Sequence, residues 1–270
     1  MKTAVIVTTY NRPDALALAL EGYLSQKDKD FELIVADDGS TAETKKTIAS
    51  YSNRHVINIR HVWHEDQGFR AAQIRNRAIA ATFSDYVIFS DGDCIPLPDF
   101  VSSHKYLAEK NWFVAGSRVL LSKSFTHAVL KKSIQLCHWR SSQWITARIK
   151  KDINRLTPLL SLPISNRLRK ITPYSWSSVM TCNMSAWRKD LIRVNGFDED
   201  YVGWGLEDSD LVIRLLHAKI LRKSARFSSP VLHLWHKEND RECLPDNRRR
   251  LDELMQSNRF QATKGVDQYI

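Results

Sequence analysis

The sequence lacks the features that identify membrane-spanning, secreted and repeat proteins. Within its 270 residues the longest apolar runs, such as 4–7 and 86–89, are far too short to cross a bilayer. Met1-Lys2-Thr3 leads directly into a strand-like run instead of a signal peptide, and no internal repeat is visible. From these absences we expect a cytoplasmic protein that is either free or peripheral on the cytoplasmic face of a membrane.

Cysteine is also scarce, and the cysteines are too widely spaced to suggest a metal site. The four cysteines lie more than 40 residues apart and form no Cys-x-x-Cys pair. This spacing argues against a zinc knuckle and against a dense disulfide framework. We therefore expect buried or idle thiols. The residues are Cys94, Cys137, Cys182 and Cys243.

Positive charge is concentrated in one part of the chain. The net charge is +10, and residues 118–173 contain 12 Lys or Arg with a single acid, Asp152. A partner attracted by charge is therefore expected to be anionic and to meet the protein there. Within that segment, residues 128–145 mix cations with apolar side chains such as Trp139 and Trp144, as an interfacial amphipathic helix would. We expect this stretch to rest on an anionic membrane surface or to grip an anionic lipid-linked glycan acceptor, with a solvated basic face as the alternative.

The first 117 residues alternate β-rich runs with helical patterns. This rhythm predicts βαβ units on a mostly parallel central sheet flanked by helices, an α/β fold. Strands are predicted over 4–8, 31–36, 56–61, 86–89 and 112–115. Helices are predicted from Pro13, over 42–50 and over 71–82.

The rhythm changes after Ser117. Residues 121–174 are basic and aromatic and are predicted to be a helical insertion. A second ordered block is predicted from Ser177 onward. It contains an extended run over 181–186, a loop over 196–205, a helix over 207–216 and a strand over 230–235.

Polar residues follow three of the predicted strands. They are Thr8-Thr9-Tyr10-Asn11-Arg12, Asp37-Asp38-Gly39-Ser40 and Ser90-Asp91-Gly92-Asp93. Ligands bind at the carboxyl ends of the strands in open parallel sheets. Because Gly92 lets the backbone turn tightly, Asp91 and Asp93 can face one point, where two oxygen ligands suit Mg²⁺ or Mn²⁺ on a diphosphate. A solvated Asp-Gly turn is the alternative.

Two further candidates for nucleotide contact have equally ordinary alternatives. Asp37 and Asp38 offer acceptors for a base N–H and for ribose hydroxyls, but they could instead cap the helix at Ala42. Arg75, on the third helix, could meet a phosphate or a base edge, whereas a lone arginine is more often solvated.

Four segments, taken in order, carry a resemblance to a known family. They are residues 8–12, Val35-Ala36-Asp37-Asp38-Gly39-Ser40, the run from Gly68-Phe69 to Arg75-Asn76, and residues 89–93. Together they resemble the N-terminal half of family 2 inverting glycosyltransferases. The resemblance implies a GT-A fold, the fold of nucleotide-diphospho-sugar transferases, with Arg75 near the base and Asp91 and Asp93 at the ribose and the metal. The residues it implies around the nucleotide sugar are Thr9, Tyr10, Asn11, Arg12, Asp37, Asp38, Arg75, Asp91 and Gly92.

The second block contains Gly203-Trp204-Gly205-Leu206-Glu207-Asp208. Glycines on both sides let the Trp204 ring stand out of the loop, and its apolar face suits the C–H face of a sugar. Glu207 and Asp208 open a helix, where a carboxylate stays ionised, although an ordinary helix cap has the same pattern. The run is similar to the galactosyltransferase-like segment of β-1,4-galactosyltransferases and chondroitin-type polymerases. That similarity implies that Trp204, Gly205 and Glu207 contact the donor and acceptor sugars. It also implies that Asp208 is the catalytic base, with Glu207 as the second catalytic residue.

The same resemblance implies a further metal ligand from the strand after this helix. His233 and His236 are the candidates, and their odd spacing on a strand predicts opposite facing, so that only one need bind metal. His236 ranks slightly ahead because Lys237-Glu238-Asn239-Asp240 follows it. A structural histidine is the alternative.

We expect one continuous catalytic domain with three parts. Residues 1–117 form the nucleotide-sugar half, 118–176 the basic insertion, and 177–270 the acceptor half with a helical tail.

The expected activity is inverting, Mn²⁺- or Mg²⁺-dependent transfer of a hexose or N-acetylhexosamine from a UDP-sugar to a glycan or lipid-linked glycan in surface polysaccharide or lipopolysaccharide synthesis. A sugar-1-phosphate nucleotidyltransferase is an alternative, although the glycine-rich triphosphate loop is missing. The other alternative is a non-catalytic module that binds acidic polymers through residues 118–173; for the transferase we expect no nucleic-acid partner.

Overall fold

The computed structural model describes residues 1–237 and 240–270. Its strands are β1 (Thr3–Thr9), β2 (Glu32–Asp37), β3 (Asn58–Trp63), β4 (Tyr86–Asp91), β5 (Cys94–Pro96), β6 (Trp112–Ala115), β7 (Arg118–Leu120), β8 (Asn183–Trp187), β9 (Leu221–Ser224) and β10 (Val231–His233). Its helices are α1 (Pro13–Leu24), α2 (Ala42–Ser52), α3 (Ala71–Ala81), α4 (Phe100–Leu107), α5 (Lys123–Lys132), α6 (Ser141–Ile149), α7 (Arg188–Arg193), α8 (Glu207–His217) and α9 (Leu244–Met255). Short 3₁₀ turns lie at 136–138, 157–159, 168–170 and 266–269.

The main sheet has seven strands in the order β3-β2-β1-β4-β8-β6-β9. All of its neighbours are parallel except those of β8, which runs antiparallel to β4 and β6. A smaller sheet, in the order β5-β10-β7, stands beside it. The predicted α/β fold, with a mostly parallel central sheet flanked by helices, is confirmed.

Strand β1 shows why the main sheet lies at the centre of the molecule. Ala4 and Ile6 pack into the apolar core on one face of the sheet, and Val5 and Val7 pack into the core on the other face. A strand that is buried on both faces must be apolar throughout, which is the pattern of a parallel sheet covered by helices on both sides. Apart from Thr3 at its start, the polar residues of β1 are Thr8 and Thr9, at its carboxyl end.

The basic segment does not form the predicted interfacial helix over 128–145. Helix α5 ends at Lys132, where Ser133 adopts a left-handed conformation with φ 47°, and α6 begins only at Ser141. Leu136 and Trp144 are buried in a core shared with the small sheet, and Trp139 packs against the same core. The prediction is wrong because these apolar side chains bury themselves inside the protein instead of facing a membrane.

Several element boundaries differ from those predicted. Strand β3 begins two residues after its predicted start, since Val56 is exposed and the pairing with β2 begins at Asn58. Strand β7 lies inside the predicted insertion and pairs with β10, which ties the start of the basic segment to the second half of the chain. The three predicted parts of the domain stay predictions.

The longest helices, α1 and α9, have 12 residues each, and no helix in the described part of the chain combines the length and the apolar character of a membrane span. All four cysteines are free thiols, and three of them are buried. The expectation of idle or buried thiols is consistent with this arrangement.

Candidate active site

The ends of β1 and β4 form the floor of a cavity of about 1040 Å³. The turn after β4 lies tightly against β1, since the Gly92 N–H donates to the Thr8 carbonyl at 2.7 Å. A Cβ at Gly92 would come within 2.8 Å of the Thr9 hydroxyl. Close approach to β1 is therefore the reason for glycine at this position, and it turns Asp91 and Asp93 toward the cavity.

Asp93 faces both candidate histidines. Its carboxylate oxygens lie 3.7 Å from His233 Nε2 and 3.5 Å from His236 Nε2, and the two imidazole rings are 5.2 Å apart. The prediction that the histidines face opposite ways is wrong because β10 ends at His233, so the alternation of a strand does not continue to His236. Residues 238 and 239 of the motif that favoured His236 lie outside the described residues.

This cluster fits a divalent cation by its chemistry. Two donors that are each about 2.1 Å from one ion lie roughly 3 to 4 Å apart, which matches the separations of Asp93 from His233 and His236. Burial lowers the pKa of His233, which keeps its imidazole neutral and able to donate a lone pair. A mixed carboxylate and imidazole set suits Mn²⁺ better than Mg²⁺, which prefers oxygen ligands.

Arg75 is the centre of the site and not a solvated side chain. Its guanidinium lies 3.3 Å from Asp91, 3.2 Å from Glu207 and 3.3 Å from Asp208, and its Nε donates to the Thr8 hydroxyl. Although burial opposes the charged form, the three carboxylates raise the pKa of Arg75. In this structure the residue neutralises carboxylates, and its contact with a nucleotide base stays a prediction.

Glu207 and Asp208 do not act as the cap of α8. The cap residue is Leu206, at φ 74° and with no side-chain cap hydrogen bond. Asp208 instead accepts hydrogen bonds from the N–H and the hydroxyl of Thr181, at 3.0 and 2.6 Å. Burial, followed by the charge of Asp208, raises the pKa of Glu207 to about 7. Burial likewise raises the pKa of Asp91 to about 6.

The adjacent acids Asp37 and Asp38 have different environments. Asp37 is fully buried, accepts from the Ser40 N–H, and lies 2.9 Å from His61. Asp38 lines the cavity, lies 2.6 Å from His64 and accepts from the Arg70 N–H. Neither carboxylate caps α2, whose cap residue is Thr41. Of the two, only Asp38 is placed to meet a ligand in the cavity.

The residues after β1 are also divided. Thr9, Tyr10 and Arg12 line the cavity, and the Tyr10 hydroxyl donates to Asp66 at 2.9 Å. Asn11, in contrast, is turned away by a left-handed backbone with φ 47° and accepts from the Thr41 N–H. Asn11 therefore holds the loop against α2 instead of facing the cavity.

An aromatic ring and several cations also line the cavity. The Trp204 side chain is about one third exposed, and the Arg241 guanidinium lies over its ring at 5.2 Å. Gly203 and Gly205 hold φ values of 72° and 110°, which residues with a Cβ rarely adopt, so the loop that presents Trp204 depends on both glycines. Cations that line the same cavity are Arg12, Arg75, Arg118, Lys237, Arg241 and Arg248.

Sequence reasoning missed four residues that shape the site. Thr181 fixes Asp208, and His61 and His64 orient the two acids after β2. Cys94 lies within 4.8 Å of both Asp93 and His233 and is a candidate donor for a thiophilic metal. Only Cys94 had a signal in the sequence, its position next to Asp93, because the others gain their roles from contacts between distant parts of the chain.

Two family models match the chain. The model described as glycosyl transferase family 2 matches residues 4–192, and the model described as the N-terminal domain of galactosyltransferase matches residues 164–237. The validoxylamine A glucosyltransferase of Streptomyces hygroscopicus subsp. limoneus is 30% identical over 223 residues, which cover 78% of this chain and 47% of that protein. The chondroitin synthase of Escherichia coli is 27% identical over 221 residues, which cover 78% of this chain and 32% of that protein. The chain thus spans half or less of the length of these curated relatives.

Solved structures share the fold. S. aureus TarS 1-349 in complex with UDP has a TM-score of 0.64 at 15% identity, over 100% of this chain and 68% of that chain. The mannosyltransferase PcManGT from Pyrobaculum calidifontis, in complex with GDP-Man and Mn²⁺, has a TM-score of 0.58 at 18% identity, over 87% of this chain and 57% of that chain. At these identities the likeness concerns the fold alone. Since the family 2 model covers well over half of the residues, the chain belongs to glycosyl transferase family 2.

Proposed function

We propose that the protein transfers a hexose or N-acetylhexosamine, with inversion, from a UDP-sugar to a glycan acceptor, and that it needs a divalent cation, Mn²⁺ before Mg²⁺. The observation that carries this proposal is the arrangement around the cavity. A cluster of Asp93, His233 and His236 stands on one side, and the carboxylates of Glu207 and Asp208 stand where α8 begins. Inverting transfer needs both a cation at the leaving diphosphate and a base for the attacking hydroxyl.

The donor side is formed by the strand ends. Thr9, Tyr10, Asp38 and Asp91 line the cavity there and offer hydroxyl and carboxylate groups to a base and a ribose. A cation held by Asp93, His233 and His236 would offset the negative charge that develops on the departing diphosphate. UDP is favoured over GDP because S. aureus TarS, solved in complex with UDP and with UDP-GlcNAc, matches 100% of this chain. PcManGT, solved in complex with GDP-Man, matches 87% of it.

Asp208 is proposed to accept the proton of the acceptor hydroxyl. Two hydrogen bonds from Thr181 and an ion pair with Arg75 fix the position of its carboxylate. Glu207, with a pKa raised to about 7, would hold the acceptor hydroxyl group in place beside it. An alternative assignment, in which Glu207 is the base, predicts an activity that rises with pH through about 7 and is abolished in Glu207→Gln.

We propose that an anionic glycan acceptor meets the cations of the cavity. Trp204 offers an apolar ring to a sugar face, and Arg118, Lys237 and Arg248 line the same cavity. Among the described residues, no carboxylate lies within 4.0 Å of these three cations. A uronate or phosphate group on the acceptor would pair with them, as expected in surface polysaccharide or lipopolysaccharide synthesis.

Release of nucleotide from a panel of UDP-, GDP- and CMP-sugars, with Mn²⁺ or with EDTA, tests the proposal. We expect metal-dependent release from UDP-sugars by the wild type. Asp93→Asn should lose both turnover and the Mn²⁺-dependent thermal shift by UDP, because it removes a metal ligand. Asp208→Asn should keep that thermal shift but lose transfer to an acceptor by roughly 10²- to 10⁴-fold.

Asp99→Asn is the matched control, since this acid is also ion-paired, with Lys27 at 2.9 Å, but does not line the cavity. Its activity should stay near that of the wild type. Turnover that is unaffected by EDTA would refute metal dependence. Absence of any nucleotide-linked thermal shift in the wild type would refute the donor assignment.

A further inference from the structure

A group of large apolar side chains is exposed outside the cavity. Tyr106 is 84% exposed, Ile171 69% and Tyr174 67%. Leu160, Leu162 and Leu168 are exposed as well. We call residues 160–174 together with Tyr106 the edge patch. None of its residues lines the cavity. Exposed apolar groups concentrated in this way mark interaction surfaces.

The edge patch is held in a fixed position along the outer strand of the main sheet. At one end the Leu162 N–H donates to the Phe227 carbonyl at 3.0 Å, and at the other the Arg222 N–H donates to the Pro173 carbonyl at 2.9 Å. Between them the buried Arg169 guanidinium donates to the carbonyls of Ser224 and Arg226. The apolar side chains are therefore exposed on an anchored segment along β9 and the turn that follows it.

The surroundings of the edge patch are cationic. No Asp or Glu occurs between Asp152 and Asp190 in the sequence. Arg167 and Arg226 are exposed, and Arg222 is half-buried; among the described residues, none of these three arginines has a carboxylate within 4.0 Å.

The acid next to the patch, Glu109, is already neutralised. It pairs with Lys170 and Lys223, and these contacts, the Lys170 hydrogen bond first, lower its pKa to about 2. Burial and the neighbouring Arg226 both lower the pKa of Arg222, as expected where cations gather without a counter-charge. No nearby carboxylate therefore neutralises the positive charge of the arginines around the edge patch.

We propose that the edge patch docks the protein on an anionic lipid bilayer. Aliphatic and tyrosine side chains interleaved with arginines match the boundary between acyl chains and anionic headgroups, because each kind of side chain finds its complement there. Nucleic acid would pair with the arginines but would leave Leu168 and Ile171 in water. The proposal does not depend on the transferase activity, since the patch lies outside the cavity.

Sedimentation with vesicles tests this proposal without a donor or an acceptor. Vesicles of phosphatidylcholine alone are compared with vesicles that also contain phosphatidylglycerol, at low and high salt. We expect binding only to the anionic vesicles. Arg167→Glu with Arg226→Glu should weaken binding by about five-fold or more for each arginine. Ile171→Ser with Tyr174→Ser should weaken it by roughly ten-fold or more.

Two controls match these variants in chemistry but lie outside the patch. Phe83→Ser removes a side chain that is 87% exposed, and Lys45→Glu with Lys46→Glu reverses exposed charges on α2, at the opposite edge of the sheet. Both controls should bind as the wild type does. Equal losses in patch and control variants, binding that ignores the apolar substitutions, or no binding by the wild type would each overturn the proposal. Self-association that disappears in Ile171→Ser with Tyr174→Ser would assign the patch to protein contact and overturn it as well.

Discussion

Replacing Arg75 with methionine is expected to destabilise the protein in a manner that depends strongly on pH. Arg75 is 5% exposed and contacts three carboxylates at 3.2 to 3.3 Å. Removing one partner from a buried ion pair costs about 3 to 5 kcal/mol, because the remaining charges are left unpaired. At about pH 8, where the carboxylates are ionised, we expect a loss of about 4 kcal/mol in the free energy of unfolding.

The loss should be much smaller in acid. Burial raises the pKa of Asp91 to about 6 and that of Glu207 to about 7, and the loss of Arg75 would raise both further. A carboxyl group whose pKa is higher in the folded state contributes stability that is fully present below its unfolded pKa and is lost as the pH rises through the folded pKa. At about pH 5 both groups are protonated in the variant, so the remaining cost is about 1 to 2 kcal/mol for the lost Thr8 hydrogen bond, the lost contact with Asp208 and the lost packing.

Denaturant titrations of the wild type and the variant at these two pH values measure the difference directly. Arg77→Met is the matched control. Arg77 lies on the same helix, and its guanidinium stands over the Tyr269 ring at 5.2 Å, without a carboxylate partner among the described residues. Its substitution should have the same small effect at both pH values. The reasoning would be refuted if Arg75→Met lowered the free energy of unfolding equally at both pH values, or by less than about 1 kcal/mol at the higher pH.

Three further predictions concern stability and acceptor binding. His104 is buried between Ser185 and Asn183, and burial lowers its pKa to about 4. The stability that the neutral imidazole contributes is present above about pH 6.5 and is lost as the pH falls, so acid should lower the free energy of unfolding of the wild type by about 3 kcal/mol more than that of His104→Gln. Denaturant titrations measure this difference, and parallel pH profiles of the two proteins would contradict the prediction. Gly116→Ala should lower the free energy of unfolding by about 2 kcal/mol or more, since a Cβ there would overlap the Asn183 amide, and an unchanged melting temperature would exclude that clash. Trp204→Ala should raise the acceptor KM about ten-fold while donor hydrolysis stays unchanged, and an equal loss of both activities would remove Trp204 from the acceptor side.

The central strands were predictable because they are buried on both faces. β1, β2 and β4 appear in the sequence as short, nearly continuous apolar runs followed by polar residues. The short strands β7 and β9 were not predicted, since Arg118–Leu120 and Leu221–Ser224 contain cations and are too short to show a period. Their strand character comes from pairing with neighbours, which a single sequence does not show.

The carboxylates of the site were predictable, but their partners were not. Asp91, Asp93 and Asp208 stand at or just after the end of a strand or at the start of a helix, where position along the chain indicates position in the fold. Thr181 and His64 lie in unremarkable sequence, and each acquires its partner from a residue more than 25 positions away. The failed prediction of opposite facing for His233 and His236 has the same cause, because the end of β10 is set by its pairing with β5 and β7.

The division of charge in the site explains why one arginine must be buried there. Asp91, Asp93, Glu207 and Asp208 all line one cavity, and four carboxylates in a poorly solvated space would repel one another and take up protons. Arg75 neutralises three of them and leaves Asp93, which faces the two histidines, for a cation. If Arg75 is removed, the freed carboxylates should compete with Asp93 for that cation. We therefore expect Arg75→Met to bind Mn²⁺ more weakly and less selectively than the wild type, in addition to being less stable. Calorimetric titration with Mn²⁺ at the higher pH measures this.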